Sequence, residues 1–411
     1  MNHVGLHRGD VRRQGNVSVC ADVHDVVLTE LCSFLFASLA RADQRRKGVE
    51  YVRGLLGAQG RKSIRNIAGL TGGQATEQNL HHFVSSSTWD WGPVRQALAD
   101  HLVRVAPPQA WVVQPIVIPK AGERSVGVDR RFIPSLGQVL NAQQAVGVWS
   151  ASEEVSVPVN WGLHLSQAWL DDAPRRRQAS IPESVDPQTL GECAVETFLE
   201  LMSAWRLPVR PVVMDAREAD GMTMVRRLQG AHVPFVARVT STLALSLVDQ
   251  ALPGHGADAL PAHQILGAAR DLRRPVAWTD HAQESRQRTS LVAGVRVRIP
   301  SRGRRLSLPG HRPVRGDGDL LLIGAGTNGR RWPQELWLTD LTEQSPATSF
   351  RLSRLTGRVE RDFTEIADQV GIRDFAGRSF GGWHRHVTLA SAAHAVTALA
   401  WANDRRLCRA S

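Results

Sequence analysis

The amino-acid sequence predicts an α/β protein in which a helical N-terminal region precedes a mixed core, and a β-rich insertion interrupts that core before the last helices. Three observations support this class: helical spacing of apolar residues before residue 108, short apolar runs from Trp111 onwards, and an apolar strand that ends on Asp215. The predicted regions are a mobile arm at 1–22, a helical region at 23–108, the first part of the core at 109–240, the insertion at 241–345 and the C-terminal helices at 346–411.

The N-terminal region contains several segments in which apolar residues recur at helical spacing, and the third and fourth are separated by two glycines. The second segment begins with three basic residues, Arg45, Arg46 and Lys47. Short helices with basic residues and glycine-containing turns are compatible with a helix-turn-helix DNA reader, and a plain helical bundle fits the same pattern equally well. The predicted helices are 26–39, 45–57, 61–72, 76–84 and 94–105.

The core begins with three apolar runs that glycine and polar residues separate, which predicts an antiparallel meander. A helix, a strand, a second helix and a last strand follow, so the order is β-β-β-α-β-α-β. This is the order of the RNase H-like fold, in which carboxylates gather at strand ends and cut or join phosphodiesters with metal ions. The predicted strands are 111–118, 139–149, 155–165, 211–214 and 235–239, and the predicted helices are 190–205 and 221–229.

The segment from 240 to about 345 alternates β-like runs with basic, glycine-rich loops, which predicts a β-rich insertion. The chain then returns to a helix over 356–370, with Glu360 next to its buried stripe, and a last helix over 387–401. The stripe consists of Val359, Phe363, Ile366 and Val370. The β-like runs are 276–278, 291–299, 320–323 and 335–338.

The charge balance favours a polyanionic partner, because 50 Lys+Arg residues exceed 39 Asp+Glu residues and give a formal charge of +11. Most of the excess is arginine, whose planar guanidinium suits phosphate, so nucleic acid is a better partner than a membrane surface. The alternative is an arginine-rich protein from a GC-rich genome. The arginine clusters are candidates for contact with the DNA backbone, or alternatively solvated loops. They are Arg175, Arg176 and Arg177, then Arg302, Arg304 and Arg305, then Arg330 and Arg331.

The four cysteines, Cys20, Cys32, Cys193 and Cys408, are scattered and have no histidine at zinc spacing. Neither a disulfide framework nor a structural metal site is indicated, and the pattern predicts a reducing compartment. The sequence has no signal-peptide core and no run of 18 uninterrupted apolar residues. We therefore expect a cytoplasmic protein without a membrane partner.

Asp215 stands at the tip of an apolar strand, and a carboxylate in that position is suited to a divalent cation such as Mg²⁺. The alternative interpretation is that Asp215 caps the following helix. Asp220, at the start of that helix, is interpreted as a cap or as support for a metal ligand rather than as a ligand. His384 and His386 fit either a metal pair or a structural or phosphate contact, and we favour the second interpretation.

Seven separated segments occur in an order typical of one protein family. They are Ser125–Val128, Gly137–Asn141, Trp161–Trp169, Val213–Ala216, Val359–Phe363, Phe375–Ser379 and Gly382–His384. In these segments the chain resembles bacterial insertion-sequence transposases of the DDE superfamily, the group with a Y-R-E-K signature around the catalytic Glu. The resemblance extends from about Phe34 to Trp401 and so covers most of the chain.

This resemblance implies an RNase H-like catalytic core, a helical DNA-binding region at the N-terminus and a β-rich insertion before the catalytic Glu. It also implies Mg²⁺ or Mn²⁺ ions that cut transposon ends and then transfer the strand. By position, the metal ligands are Asp215 and Glu360, while the first catalytic Asp of the family falls on Gln114. The Arg, Lys and Tyr of the signature fall on Thr356, Ala367 and Ser353.

The expected function is that of a DDE-type transposase that binds double-stranded DNA at transposon ends, with a homodimer expected because two ends are brought together. The alternative is a catalytically impaired, domesticated homologue that acts as a DNA-binding or regulatory protein. Gln114, Thr356 and Ala367 favour this alternative, because each removes a charged group from the signature. A defunct element under no selection is a third interpretation.

Overall fold

The computed structural model describes residues 24–70, 74–133, 137–217, 221–256, 259–282, 286–300, 318–329 and 331–410. The chain divides into two compact units. A helical unit comprises Met1–His101, Glu365–Gly377 and Gly381–Ser411, and a sheet unit comprises Leu102–Thr364 and Arg378–Phe380. The mobile arm predicted for 1–22 lies outside the described residues.

The helices of the described residues are, in chain order, α1 (24–35), α2 (Ala42–Gly57), α3 (Ile64–Gly69), α4 (Gln74–His81), α5 (Trp91–Val105), α6 (Gln167–Asp171), α7 (Ala173–Gln178), α8 (Leu190–Trp205), α9 (Gly221–Gly230), α10 (Ala262–Ala268), α11 (Pro346–Ser353), α12 (Leu355–Asp362) and α13 (Phe380–Ala410). Their strands are β1 (Ala110–Pro119), β2 (Asp129–Ile133), β3 (Gln138–Ala151), β4 (Ser156–His164), β5 (Val212–Asp215), β6 (Phe235–Arg238), β7 (Ala244–Leu247), β8 (Leu260–Pro261), β9 (Arg274–Asp280), β10 (Arg286–Arg298), β11 (Leu320–Gly326) and β12 (Glu335–Thr339).

The helical unit contains a helix in each of the five segments for which the N-terminal sequence predicts one. Two of them approach closely at Gly54, because a Cβ there would lie 2.3 Å from Cγ2 of Ile67. The long helix α13 is joined to α5 by buried Arg95, whose Nε donates to Oγ1 of Thr388 at 2.7 Å. A buried guanidinium needs such partners, since a charge away from water is costly unless it is hydrogen-bonded.

The sheet unit is built on one mixed sheet, which has twelve strands among the described residues. Its order is β2-β3-β1-β5-β6-β12-β11-β10-β7-β8, with β4 paired to β3 and β9 paired to β10. Strands β1, β5 and β6 run parallel, whereas the pairs on either side of them are antiparallel. The three parallel strands are buried along most of their length, which is typical of strands covered on both faces.

The predicted antiparallel meander is confirmed in β1, β3 and β4, although the structure adds β2 before β3. The predicted helix at 190–205 is confirmed as α8, which begins with a capping box between Thr189 and Glu192. All four β-like runs of the predicted insertion are strands. They extend the core sheet, because β12 pairs with β6 through Leu338 and Ala237.

The prediction of a loop at 175–177 is wrong, since these residues belong to helix α7. Asp172 caps this helix by accepting a hydrogen bond from the N–H of Arg175 at 3.0 Å, and Pro174 occupies its first turn. The helix predicted for 356–370 is α-helical only to Asp362 and continues as a π-helical turn over Phe363–Ala367. Among the described residues, no helix combines the length and the apolar character that a membrane span requires.

Candidate active site

Three polar positions lie side by side where the parallel strands β5 and β6 end. Val113 of β1 pairs with Met214 of β5, so the next residues along these strands are Gln114 and Asp215. Asp215 in turn pairs with Arg238 of β6. Because paired residues of parallel strands point to the same face, Gln114, Asp215 and Arg238 form one row, which we call the central row.

The carboxylate of Asp215 is held by an arginine two residues further along the chain. Nε of Arg217 donates to Oδ1 at 2.9 Å and to Oδ2 at 3.0 Å, and Nη2 donates to Oδ2 at 2.5 Å. The backbone N–H of Arg217 also donates to Oδ1, at 3.1 Å. Both oxygens of Asp215 therefore have a cationic partner from the same short turn. Solvent reaches both side chains, so the pair contributes no more than about 1 kcal/mol.

Gln114 brings an unsatisfied acceptor to the central row. Its side chain is half-buried, and its Oε1 is buried without a hydrogen-bond donor among the described residues. A buried polar atom without a partner costs about 1–3 kcal/mol. An amide oxygen is also neutral, so Gln114 adds a dipole and no charge at the position beside Asp215.

Glu360 lies on α12, directly after the fully buried Val359. Partial loss of hydration raises the pKa of the Glu360 carboxyl above its ordinary value, and the positive charges of Arg238 and Arg354 oppose that rise. Arg238 is the neighbour of Asp215 in the central row. Arg238 is therefore both the strand neighbour of Asp215 and a cation that acts on Glu360, whose side chain is exposed.

The residues of this region do not fit a two-metal site. Two divalent ions about 4 Å apart repel each other and need several anionic ligands. Asp215 and Glu360 supply two negative charges, but Arg217 and Arg238 already offset them. In the part of the chain that the structure describes, no group of three or more His, Cys, Asp or Glu side chains is arranged to hold a metal ion. Asp220 lies outside the described residues.

The central row lies within the part of the chain that matches a known protein family. Residues 34–304 match the family described as DDE superfamily endonuclease, which is more than half of the chain. The chain belongs to this family. A search of curated proteins found no match to this chain. DDE superfamily endonucleases are transposase-like nucleases that act on nucleic acid and generally use divalent metals. The matched stretch includes Gln114 and Asp215 and ends before Glu360.

In this DDE superfamily chain, Arg354 is a further cation near Glu360 that sequence reasoning missed. Its Nη1 donates to Oε1 of Glu335 at 3.1 Å, and its guanidinium carbon lies 4.6 Å from the ring centre of Phe350. Burial raises the pKa of the Glu335 carboxyl, but the hydrogen bond and charge of Arg354, helped by the charge of Arg238 and a hydrogen bond from Trp337, hold that pKa below its ordinary value. Arg354 stands two residues before Thr356, the position of the signature arginine, and its guanidinium binds a carboxylate of the same sheet unit.

Helix α12 is anchored to the sheet by a buried ion pair whose two residues lie on either side of Glu360 in the sequence. Oδ2 of Asp362 accepts from Nε of Arg358 at 2.8 Å and from the backbone N–H and hydroxyl of Ser156 at 2.9 and 2.8 Å. The side chains of Arg358 and Asp362 are 6% and 2% exposed. The start of β4 therefore determines where α12, and with it Glu360, lies on the sheet.

Buried His281 lies in the electrostatic environment of this ion pair and should make the stability of the sheet unit depend on pH. Burial lowers its pKa to about 4, and the positive charge of Arg358 acts in the same direction. Between pH 6.5 and 4 the unfolded chain binds a proton that the folded chain resists, so stability is lost as pH falls through this window. We expect this group to contribute a slope of about 1.4 kcal/mol per pH unit.

The test is urea unfolding of the native chain and of His281→Gln at pH 7.5 and pH 5. The free energy of unfolding of the native chain should fall by about 2 kcal/mol more than that of the variant, because only the native chain carries the titrating group. Equal falls in the two proteins would show that His281 does not resist protonation.

The basic residues predicted at the start of α2 have partners within the helical unit. Arg45 donates through Nη1 to the carbonyl oxygens of Leu39 and Ala40, at 2.5 and 3.1 Å. Arg46 lies 3.8 Å from Glu50, and Lys47 lies 3.8 Å from Asp43. Exposed pairs of this kind are weak, so Arg46 remains available to an anion, whereas Arg45 is bound to backbone.

The arginines of α7 also divide into those bound by other protein groups and those exposed to solvent. Arg175 lies over the Trp169 ring, with its guanidinium carbon 3.7 Å from the ring centre. Arg176 donates to the carbonyl oxygens of Pro182 and Val185 at 2.6 and 3.2 Å. Arg177 and Arg331 are exposed. The other arginines named as DNA contacts, Arg302, Arg304, Arg305 and Arg330, lie outside the described residues.

The two histidines that the sequence singled out on α13, His384 and His386, are buried in the helical unit. His386 bonds the Tyr51 hydroxyl through Nδ1 at 2.9 Å and the Gly371 carbonyl through Nε2 at 2.8 Å. His384 stacks on Trp91 with ring centres 4.7 Å apart, and burial next to Arg95 lowers its pKa well below the ordinary value. These contacts favour the structural interpretation of the two histidines over a metal pair.

Proposed function

We propose that this DDE superfamily chain is a transposase homologue that binds double-stranded DNA at transposon ends and whose active site is impaired in metal-dependent cleavage. One observation carries the proposal: Gln114 replaces the first carboxylate of the central row, and the remaining Asp215 is paired with Arg217. Asp215 and Glu360 are the side chains that would meet Mg²⁺ or Mn²⁺, and two carboxylates offset by two arginines are a poor ligand set for two such ions.

We assign the core of the sheet unit to the RNase H-like class. The assignment is supported by the strand order β4-β3-β1-β5-β6, in which the first three strands are antiparallel and the last three parallel. The order also accounts for the central row, since the carboxyl ends of neighbouring parallel strands meet at one edge of the sheet.

The proposed partner is DNA, which is consistent with the family and with a formal charge of +11. In the central row, Arg238 carries a guanidinium group, which suits phosphate oxygens and does not require a metal. The site can therefore hold a phosphodiester without supplying the anionic ligands that would hold water-activating metal ions. A homodimer on DNA is part of the proposal, because two transposon ends need two binding sites.

The alternative is a working transposase that performs cleavage and strand transfer, and the retention of both Asp215 and Glu360 favours it. One experiment separates the two functions: binding and cleavage of the DNA flanking the gene, with Mn²⁺, by the native chain and by Asp215→Ala. We expect both proteins to bind with a dissociation constant that rises steeply with salt, and neither to cleave at an ordinary rate.

Two outcomes would contradict this proposal. Cleavage by the native chain that Asp215→Ala abolishes would establish a working metal site. Binding that does not change between 50 and about 200 mM salt would exclude the phosphate contacts on which DNA binding is expected to depend.

A further inference from the structure

The sheet unit contains a cavity of about 570 Å³ beside helix α7, and its lining includes no residue of the central row. Its lining is mostly charged and includes Arg124, Arg175 and Arg378 on the basic side, with Glu123 and Asp172 on the acidic side. A cavity of this size is within the range of ligand sites, but such sites are usually apolar. Its lining therefore favours a charged ligand.

Arg175 is held in place before any ligand arrives. Its guanidinium covers the ring of Trp169 at 3.7 Å, and its Nη2 donates to the carbonyl oxygens of Val128 and Glu123 at 3.3 and 3.4 Å. Trp169 is itself buried and donates through Nε1 to the same Val128 carbonyl at 3.0 Å. The cavity thus contains one fixed cation, and its tryptophan ring is covered rather than open to a base.

Arg124 and Arg378 complete the basic side and are both exposed. The segment that carries Arg378 is attached to the end of α7, because the N–H of Phe380 donates to the carbonyl of Ala179 at 2.8 Å. Neither arginine forms an ion pair with a described residue. Two exposed guanidinium groups therefore line the cavity together with the fixed one.

The acidic side is weaker than the count of carboxylates indicates. Asp172 caps α7 and already accepts a hydrogen bond from the N–H of Arg175, which partly offsets its negative charge. Glu123 is exposed, and its carboxylate opposes an anion in the cavity. The cavity therefore has three guanidinium groups and two carboxylates, one of which already accepts a hydrogen bond. This excess of positive charge attracts an anion with several oxygen atoms.

We propose that this cavity binds a phosphodiester group of a DNA strand, with Arg175 as the fixed donor and Arg124 and Arg378 as the closing pair. The proposal rests on the DNA binding proposed above and assigns it a second contact, outside the central row. Guanidinium groups bind phosphate through paired N–H donors, and such contacts supply affinity without reading sequence. A free phosphate ion has the same chemistry, so the test includes it.

The test is DNA binding by Arg124→Ala/Arg378→Ala, measured by fluorescence anisotropy at several salt concentrations. We expect a dissociation constant about tenfold higher than that of the native chain, equally for unrelated DNA sequences, and a log–log salt slope smaller by about one. Arg226→Ala, which removes one exposed charge from α9, shows the effect of losing a single charge outside the cavity and should change the constant less than twofold. Glu123→Gln should strengthen binding, because it removes the opposing charge.

The outcomes separate this proposal from the proposed function. If the native chain binds DNA and the double variant loses no more affinity than Arg226→Ala, the cavity proposal is wrong and DNA binding stands. Absence of DNA binding by the native chain would contradict the proposed function itself. Calorimetric binding of inorganic phosphate by the native chain, lost in the double variant and without any effect of the variant on DNA, would overturn the assignment to a DNA strand. Melting curves should coincide, since all three substituted arginines are exposed.

Discussion

Replacing Gln114 with Asp is expected to raise the affinity for Mn²⁺ about tenfold to a hundredfold above that of the native chain. The new carboxylate would lie beside Asp215 in the central row, where two neighbouring anions repel each other until a cation binds between them. After allowance for that repulsion, the added attraction is on the order of 1–3 kcal/mol. The measurement is the melting temperature of each protein as Mn²⁺ is added, because a ligand that binds only the folded chain raises it.

Gln114→Asn is the matched control, because Asn has the size of Asp and no charge. It should melt at the same temperature with and without Mn²⁺. Mn²⁺-dependent nicking of plasmid DNA should appear in Gln114→Asp and disappear when Asp215→Ala is added. An Mn²⁺ response of the native chain equal to that of Gln114→Asp would show that the amide is not what limits metal binding.

Replacing Asp362 with Ala is expected to lower the free energy of unfolding of the sheet unit by about 3–5 kcal/mol. The substitution leaves the Arg358 guanidinium buried without its partner, and it removes the acceptor of two hydrogen bonds from Ser156. Leaving a buried charge without its partner lowers the free energy of unfolding more than breaking an exposed ion pair does. The melting temperature of the sheet unit should fall by on the order of 10 °C.

Glu196→Ala provides the comparison, because it breaks the exposed pair between Arg227 and Glu196 in the same unit. It should change the free energy of unfolding by less than about 1 kcal/mol. The double variant Arg358→Met/Asp362→Leu, which removes both charges and keeps apolar volume, should recover much of the lost stability. Equal effects of Asp362→Ala and Glu196→Ala would mean that the buried pair does not anchor α12.

Prediction from the sequence succeeded where the apolar pattern of one short segment is enough to identify a strand or a helix. The buried run of β1 and the capped helix α8 were both recognised, because their signals lie within about ten to sixteen neighbouring residues. The strand β2 was missed, since its Asp129–Ile133 segment alternates half-buried and exposed residues and has one apolar residue in the core. Helix α7 was missed because three consecutive arginines are also typical of a solvated loop.

The pairing of β12 with β6 was beyond local patterns, since about a hundred residues separate the two strands. No periodicity of either strand specifies its neighbour, because a half-buried strand is compatible with many partners. The insertion predicted as a separate β-rich segment is therefore joined to the sheet in a way that only long-range hydrogen bonds determine.

The sequence by itself determined that Asp215 ends a buried strand, that Glu360 follows a buried valine on a helix, and that Gln114 stands in the first strand of the core. Those conclusions rest on burial patterns and on the resemblance to a family. Only the tertiary structure decided that Arg217 and Arg238 offset the charges of Asp215 and Glu360. The physical reason is that burial follows the local spacing of apolar residues. The charge around a carboxylate depends instead on the turn that directs Arg217 back onto Asp215 and on the distant strand that brings Arg238 near Glu360.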